Sequence, residues 1–274
     1  MAIWLDSTFV PPDSLVPALV TARTGRRPLG TRRVRVPDVL RAAGLRTAYK
    51  GVEYLAVRRR LPSRLVGRTV LDVGSGIGQQ AALMSEADVL VIGVDRNEQA
   101  LQYGRARSSY LDGGAAPVAS DMGTLPFSDA SVDIITSFGV LEHLDDPHGV
   151  LRSLHRVLKP GGQVVLTADC LRDAARTGFP LSAFREAFEV KILYDVESLY
   201  GAMTQAGFEV IEIGYIVSSR RALDELRGYL GGRGEPPTAV KVARLGFTLL
   251  AERRLRSPRS GQFVLVDAIR PIGR

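Results

Sequence analysis

Between residues 70 and 79 the chain reads Val70-Leu71-Asp72-Val73-Gly74-Ser75-Gly76-Ile77-Gly78-Gln79. A short, mostly apolar strand runs into a turn with glycine at alternate positions. Glycine reaches positive φ freely and lets a ligand come close to the backbone. A helix that opens on such a turn leaves its first N–H groups free to meet an acceptor. The spacing is G-x-G-x-G, not the G-x-G-x-x-G of the dinucleotide fingerprint. What matters is its placement, where the first strand passes into the first helix of an alternating series.

That series continues downstream. Strands are predicted at Thr69–Val73, Val89–Val94, Pro117–Ala119, Val132–Thr136, Gln163–Ala168 and Phe208–Ile213, with a last one at Gln262–Ala268. Helical patterns fill Ile77–Glu86, Asn97–Tyr110 (Asn97 as N-cap), Pro147–Leu158 and Val196–Ala206. Strands separated by helices of this length define an α/β fold with a parallel, doubly wound sheet and helices on both faces. The nearly continuous apolar strands fit burial on both sides. Upstream, Thr47–Leu61 reads as a helix ended by Pro62, after a Pro- and Arg-rich stretch of weak periodicity. Residues 217–260 read as a helical insertion before the last strand. The expected division is a basic N-terminal helical cap, 1–66, on a ligand-binding core, 67–274, that carries the insertion, all in one integrated domain.

Composition narrows the chemistry. A chain of 274 residues with 45% apolar residues can bury a core without disulfides. Its one cysteine, Cys170, excludes a disulfide framework and a Cys-based zinc site within one chain. A cytoplasmic location is expected. Apolar runs such as Val89–Ile92 are far short of a membrane span, and no secretory signal is read at the N-terminus. Net charge is +7, but residues 1–68 carry +10 and the remainder −3. That asymmetry admits an anionic partner, although no basic run is interleaved with aromatics, so nucleic acid is not the expected partner.

Three further residues stand where a nucleoside would be read. Asp95 ends the second strand, where a carboxylate accepts from vicinal ribose hydroxyls. Asp121 and Met122 follow the third strand, where they read either as an acceptor for an adenine amine and a cover for its ring or as a capping Asp and a core Met.

With these pieces the sequence resembles the class I S-adenosylmethionine-dependent methyltransferases, closest to the small-molecule enzymes with the methyltransferase-11 type of core. The matching segments come in family order: Leu71–Gly78, Gly93–Asp95, Ser120–Met122 with Leu125–Phe127, Phe127–Ile135, Gly139–Pro147, Arg156–Gly162 and Ala206–Val210. They span about residues 66–215, leaving 1–48 and 217–260 outside. The resemblance implies a seven-stranded sheet with six parallel strands and the last antiparallel. It implies S-adenosylmethionine as cofactor, leaving S-adenosylhomocysteine as product. Gly74, Ser75 and Gly76 would line its methionine part, with Gln79 beside them. Asp72 would hold the turn or meet the cofactor's amino group through water. Asp95 would take the ribose and Asp121 the adenine amine. Arg96 and Met122 would flank the ring, and Phe138 and Gly139 would border the cofactor.

A hydroxyl acceptor must lose its proton. His143 is the first candidate base, since an ordinary imidazole titrates near neutrality. Asp169, after the fifth strand, could orient His143 or hold the acceptor, and Glu142 shares the region. His148 and His155 read as surface residues, and Asp145 and Asp146 as loop residues, so no metal ligands are assigned. The Asn/Asp-Pro-Pro-aromatic element for base amino groups is missing, with Ser137-Phe138-Gly139-Val140 in its place. The expected activity is O-methylation of a small molecule of secondary metabolism. The rivals are an RNA or protein methyltransferase using the basic N-terminus, an NAD-dependent oxidoreductase, and a cofactor-binding protein without catalysis. The two segments outside the resemblance are expected to build the acceptor pocket or a homodimer contact.

Overall fold

The computed structural model describes residues 42, 45, 47–85, 88–108, 115–171, 179–218, 221, 224, 237–255 and 261–273. The predicted stretch 1–41 and most of 219–236 in the insertion lie outside these. Seven strands form one sheet: β1 (Thr69–Val73), β2 (Leu90–Asp95), β3 (Ala116–Ala119), β4 (Val132–Phe138), β5 (Leu158–Asp169), β6 (Glu209–Ile216) and β7 (Phe263–Ile269). Their order is β3-β2-β1-β4-β5-β7-β6. β7 runs antiparallel to both neighbours and the other pairings are parallel. The sequence pattern reverses between β3 and β4, and the switch point lies between β1 and β4, where open α/β sheets bind ligands.

The strands alternate between two apolar layers. Val70, Ile134, Val165 and Leu265 pack with α1 (Ala48–Arg58) and α2 (Gln79–Met84). Leu71, Ile135, Leu166 and Val266 pack with α4 (Pro147–Val157) and α6 (Val196–Gln205). Between these, α3 (Glu98–Ser108) follows β2 and α5 (Leu181–Ala187) precedes α6. The helix starts have local causes. Asn97 accepts from Ala100 N at 3.0 Å. Asp146 caps α4 ahead of Pro147, whose missing N–H costs nothing at a first turn. Asp195 and Ser198 form a reciprocal capping box on α6. The last carbonyls of α4 are met by one group, the Arg270 guanidinium, which donates to the oxygens of His155, Arg156 and Leu158.

Two expectations change. β5 begins at Leu158 rather than Gln163, because Lys159-Pro160-Gly161-Gly162 is taken into the strand as a bulge, with Gly161 at φ +76°. His155 is half-buried, not a surface residue; its ring meets Phe208 edge-on at 5.1 Å.

Helix α1 runs down the sheet face, from the carboxyl edge of the strands at Lys50 to the amino edge at Arg60. There Arg60 pairs with Glu212 at 2.5 and 3.1 Å, and its carbonyl accepts from Gln163 at 3.0 Å. The insertion supplies α7 (Thr238–Leu255), which packs on α1. Leu245 is buried where Gly51 leaves room; a Cβ at that glycine would stand 2.8 Å from Leu245 Cδ1. Helix α1, which precedes the family segments, and the insertion thus meet each other. No described helix is long and apolar enough to cross a membrane.

Candidate active site

The glycine turn is bound to the second strand. Gly74 N and Ser75 N both donate to the Val94 carbonyl, at 2.8 and 3.0 Å. Gly74 sits at φ +72°, and a Cβ there would stand 2.3 Å from Val140 Cγ2. Only glycine serves at this point, for conformation and for space. Two residues on, Gly76 N donates to Asp95 Oδ2 at 2.8 Å, while Asn97 N donates to Oδ1 at 2.9 Å. The Asp95 carboxylate is therefore fixed by two backbone donors. Each of its oxygens keeps a lone pair, enough for two vicinal hydroxyls.

The remaining predicted cofactor residues fall around this turn. Asp121 caps the 3-10 turn Met122–Thr124 through Gly123 N at 2.7 Å, and Met122 is buried beneath it. Arg96 is exposed beside Asp95, and Gln79 opens α2. Phe138 ends β4, and Gly139 N donates to both oxygens of Thr167, at 3.2 Å to the carbonyl and 3.1 Å to the hydroxyl. The site also holds polar atoms that the protein leaves unbonded: Ser75 Oγ and Asp72 Oδ2 are buried with no hydrogen-bond partner. Open acceptors beside a glycine turn fit a ligand that carries an ammonium and a ribose.

Asp72 Oδ1 accepts from Thr136 Oγ1 at 2.9 Å. Burial pushes this carboxyl up to about 7, with Asp95 adding to the rise and Thr136 opposing it. Since the folded-state value lies above the unfolded one, the stability it contributes is complete at acid pH and is lost as pH rises through about 7. Asp72→Asn should therefore melt closest to wild type at about pH 3.5 and progressively above it as pH rises to 8, where the gain is on the order of 2–4 kcal/mol. Thermal denaturation across that pH range checks it.

A second group of polar side chains lies across Gly139. Glu142, on the 3-10 turn Leu141–His143, is 1% exposed, and Asp169 at the end of β5 is 7% exposed. The two buried carboxyls lie close enough that the charge on Asp169 raises the pKa of Glu142. Glu142 is held well above the usual carboxylate range by burial and by the Asp169 charge. Asp169 is raised by burial to about 6, despite the nearby Lys50. Glu142 Oε2 has no hydrogen-bond partner. Helix α1 adds Lys50 and Glu53. Lys50 Nζ lies 2.8 Å from Glu53 Oε2, and Thr167 Oγ1 donates to Glu53 Oε1 at 2.5 Å. Tyr194, buried beside Glu142, follows the segment whose N–H groups at Lys191 and Ile192 both donate to the Glu142 carbonyl.

His143 has a different neighbourhood from Glu142. Its ring lies against the backbone carbonyls of Phe188 and Glu189, past the end of α5. Burial lowers its pKa, and those carbonyls oppose the shift only in part. The structure thus joins Glu142 and Asp169, which the sequence listed separately. Asp145 pairs with Lys191 and Asp146 caps α4, as their loop positions suggested. Cys170 is buried.

Lys50 and Glu53 were missed. Their signal was an ion pair at i, i+3 on a helix where Glu53 is flanked by Val52, Tyr54 and Leu55, all buried. A charge inside an apolar face requires a partner from elsewhere.

The fold and this site define a class I S-adenosylmethionine-dependent methyltransferase, and the chain belongs to that family. The methyltransferase domain family matches residues 71–166. A probable S-adenosylmethionine-dependent methyltransferase of Mycolicibacterium smegmatis is 35% identical over 157 residues, 56% of this chain and 57% of that protein. The O-methyltransferase rstn1 of Aspergillus nomiae is 32% identical over 157 residues, 55% of this chain and 68% of its own length. The match thus spans little more than half the length of the first of these relatives. Among solved structures, a geranyl diphosphate methyltransferase in complex with GPP and sinefungin superposes with a TM-score of 0.59 at 20% identity, over 81% of this chain and 77% of that one. A phosphoethanolamine N-methyltransferase of Haemonchus contortus, with S-adenosylhomocysteine, gives 0.57 at 19% over 80% and 52%. These two share the fold. The family's cofactor is S-adenosylmethionine, and the residues around Gly74, Asp72 and Asp95 fit it.

Proposed function

We propose that this protein transfers a methyl group from S-adenosylmethionine to a hydroxyl of a small-molecule acceptor, with the Glu142–Asp169 pair taking the acceptor's proton. When bound, the cofactor supplies a methyl group on a positively charged sulfur. Gly74, Ser75 and Gly76 would hold its methionine end, Asp95 its ribose, and Asp121 with Met122 its adenine. Phe138 and Gly139 would border it at the end of β4. The chain's remaining tasks are to align the acceptor, exclude water and remove one proton.

The observation that carries this reading is the burial of two mutually repelling carboxyls, Glu142 and Asp169, with Glu142 facing Gly139. Two carboxyls in such contact do not both ionise, so one remains protonated and the other stays a base near neutrality. An acceptor hydroxyl needs such a base; its O–H electrons remain on oxygen as the proton passes to the carboxylate. The name of the Aspergillus nomiae relative supports oxygen as the methylated atom. In this reading α1 and α7, in contact on one face, belong to the acceptor side of the molecule.

The test is turnover of S-adenosylmethionine against a panel of phenols and alcohols beside their matched amines, read as S-adenosylhomocysteine formed. Ether products from hydroxyl acceptors are expected. Turnover confined to amines would overturn the oxygen assignment. The +10 charge of residues 1–68 favours a second reading, an RNA substrate; steeply salt-dependent RNA binding would support it.

A further inference from the structure

The mechanism above leaves the half-buried Lys50 unused. Lys50 comes from α1, outside the segments that match the family, yet its ammonium reaches the carboxyl edge of β4 and β5. It lies 2.8 Å from Glu53 Oε2 and 5.0 Å from the centroid of the Phe263 ring. The Tyr49 ring is 5.9 Å away. The position a Cβ would take on Gly139 is 3.5 Å from Lys50 Nζ and 3.1 Å from Glu142 Oε1. The ammonium and the Glu142 carboxyl therefore face each other across a single glycine, the one expected to border the cofactor.

We propose that Lys50 is a positioning residue whose ammonium, pinned by Glu53 beside Gly139, keeps one negative charge on the Glu142–Asp169 pair ready for the acceptor's proton. This rests on the reading of that pair as the proton acceptor.

The charges close around it. From α1 come Tyr49, Lys50 and Glu53. The turn after β4 contributes Glu142 and, on its outer side, His143. Asp169 and the Thr167 hydroxyl come from β5, and Tyr194 from the segment before α6. Three carboxyls in a buried space would repel one another strongly. A proton retained on the Glu142–Asp169 pair removes one charge, and Lys50 balances a second. Thr167 fixes Glu53 from the opposite oxygen, so Glu53 cannot swing towards the pair. Gly139 leaves the space between ammonium and carboxyl clear, where any side chain would separate them. Burial by itself would lower the Lys50 pKa, but Glu53, Tyr49 and Asp169 hold it above the usual lysine value, so the ammonium stays charged wherever the pair titrates.

The test reads the pair directly and needs no acceptor. Protein labelled with 13C at the Asp and Glu side-chain carboxyls is titrated by NMR. Wild type should show a carboxyl resonance with a midpoint of about 6 that is absent from Asp169→Asn. In Lys50→Met that midpoint should rise by about one pH unit or more, while Lys50→Arg, which keeps the charge, should leave it near wild type. Should Lys50→Met not fold, Lys50→Gln keeps a polar head and carries the same comparison. A midpoint unmoved by loss of the lysine charge overturns the inference. In the methyl-transfer assay, the ascending limb of the pH–rate profile should move with the resonance. If the resonance moves and the limb does not, the pair is not the proton acceptor and the catalytic part of the proposal falls with it, although the coupling stands.

Discussion

Asp169→Asn and Glu142→Gln should each lower methyl transfer by roughly 100- to 10,000-fold while leaving affinity for S-adenosylmethionine within about threefold of wild type. The expected split follows from where these groups stand. Neither touches the glycine turn or Asp95, so binding of the nucleoside end does not depend on them. Each change removes one ionisable partner of two buried carboxyls that act on each other, so the remaining carboxyl loses the charge that raises its pKa. Both substitutions keep shape and relieve the burial of a charge, so neither should cost much stability. Steady-state rates with a hydroxyl acceptor, beside calorimetric cofactor titrations, check the split. His143→Ala is the internal comparison. Its ring faces Phe188 and Glu189, and its loss should lower the rate far less than loss of Asp169. A rate deficit confined to His143→Ala, with Asp169→Asn near wild type, would return the role of base to the histidine.

Gly74→Ala should weaken S-adenosylmethionine binding by roughly 100-fold or more, equivalent to about 3 kcal/mol. Two costs coincide. The residue holds φ +72°, which penalises any side chain by about 1–2 kcal/mol. The added Cβ would also stand 2.3 Å from Val140 Cγ2 and 2.8 Å from its Cγ1, so the turn or the segment after β4 must move. Either movement disturbs the cofactor wall, because Gly74 N and Ser75 N hold the turn to Val94 and Val140 adjoins Gly139. The double variant Gly74→Ala/Val140→Ala should recover the steric part and not the conformational part. A coupling energy of about 0.5–3 kcal/mol between the two positions is expected, measured from the four titrations of the cycle.

The parts of this site that were legible in the sequence are the local ones. The turn at 74–78 announced itself by its glycines, and Asp95 by its place at the end of an apolar strand. Their meeting, Gly76 N on Asp95 Oδ2, follows from parallel pairing of adjacent strands. The sheet was legible for the same reason, since six of its strands are short apolar runs bounded by turns. β5 was read short because Pro160-Gly161-Gly162 looks like a turn until Leu158 is seen to pair with Val132.

What the sequence left open are contacts that depend on which way adjacent side chains point. Glu142 and His143 are neighbours on one 3-10 turn, and only the fold shows that the carboxyl faces Asp169 while the imidazole faces Phe188 and Glu189. Lys50 and Glu53 were further out of reach. The helix that bears them was predicted, but the hydroxyl that fixes Glu53 belongs to Thr167, 114 residues away. Hydrophobic periodicity places a helix face against a core without naming the polar group that waits there.

The central claim is that the turn at Gly74 and the carboxylate at Asp95 make a site for S-adenosylmethionine. Calorimetric titration of the purified protein with S-adenosylmethionine, S-adenosylhomocysteine and NAD in parallel tests it most directly. Binding of the first two at roughly micromolar level, about −8 kcal/mol, with none for NAD, is the predicted result. Binding of NAD alone would contradict it and make Asp95 the ribose ligand of a dinucleotide.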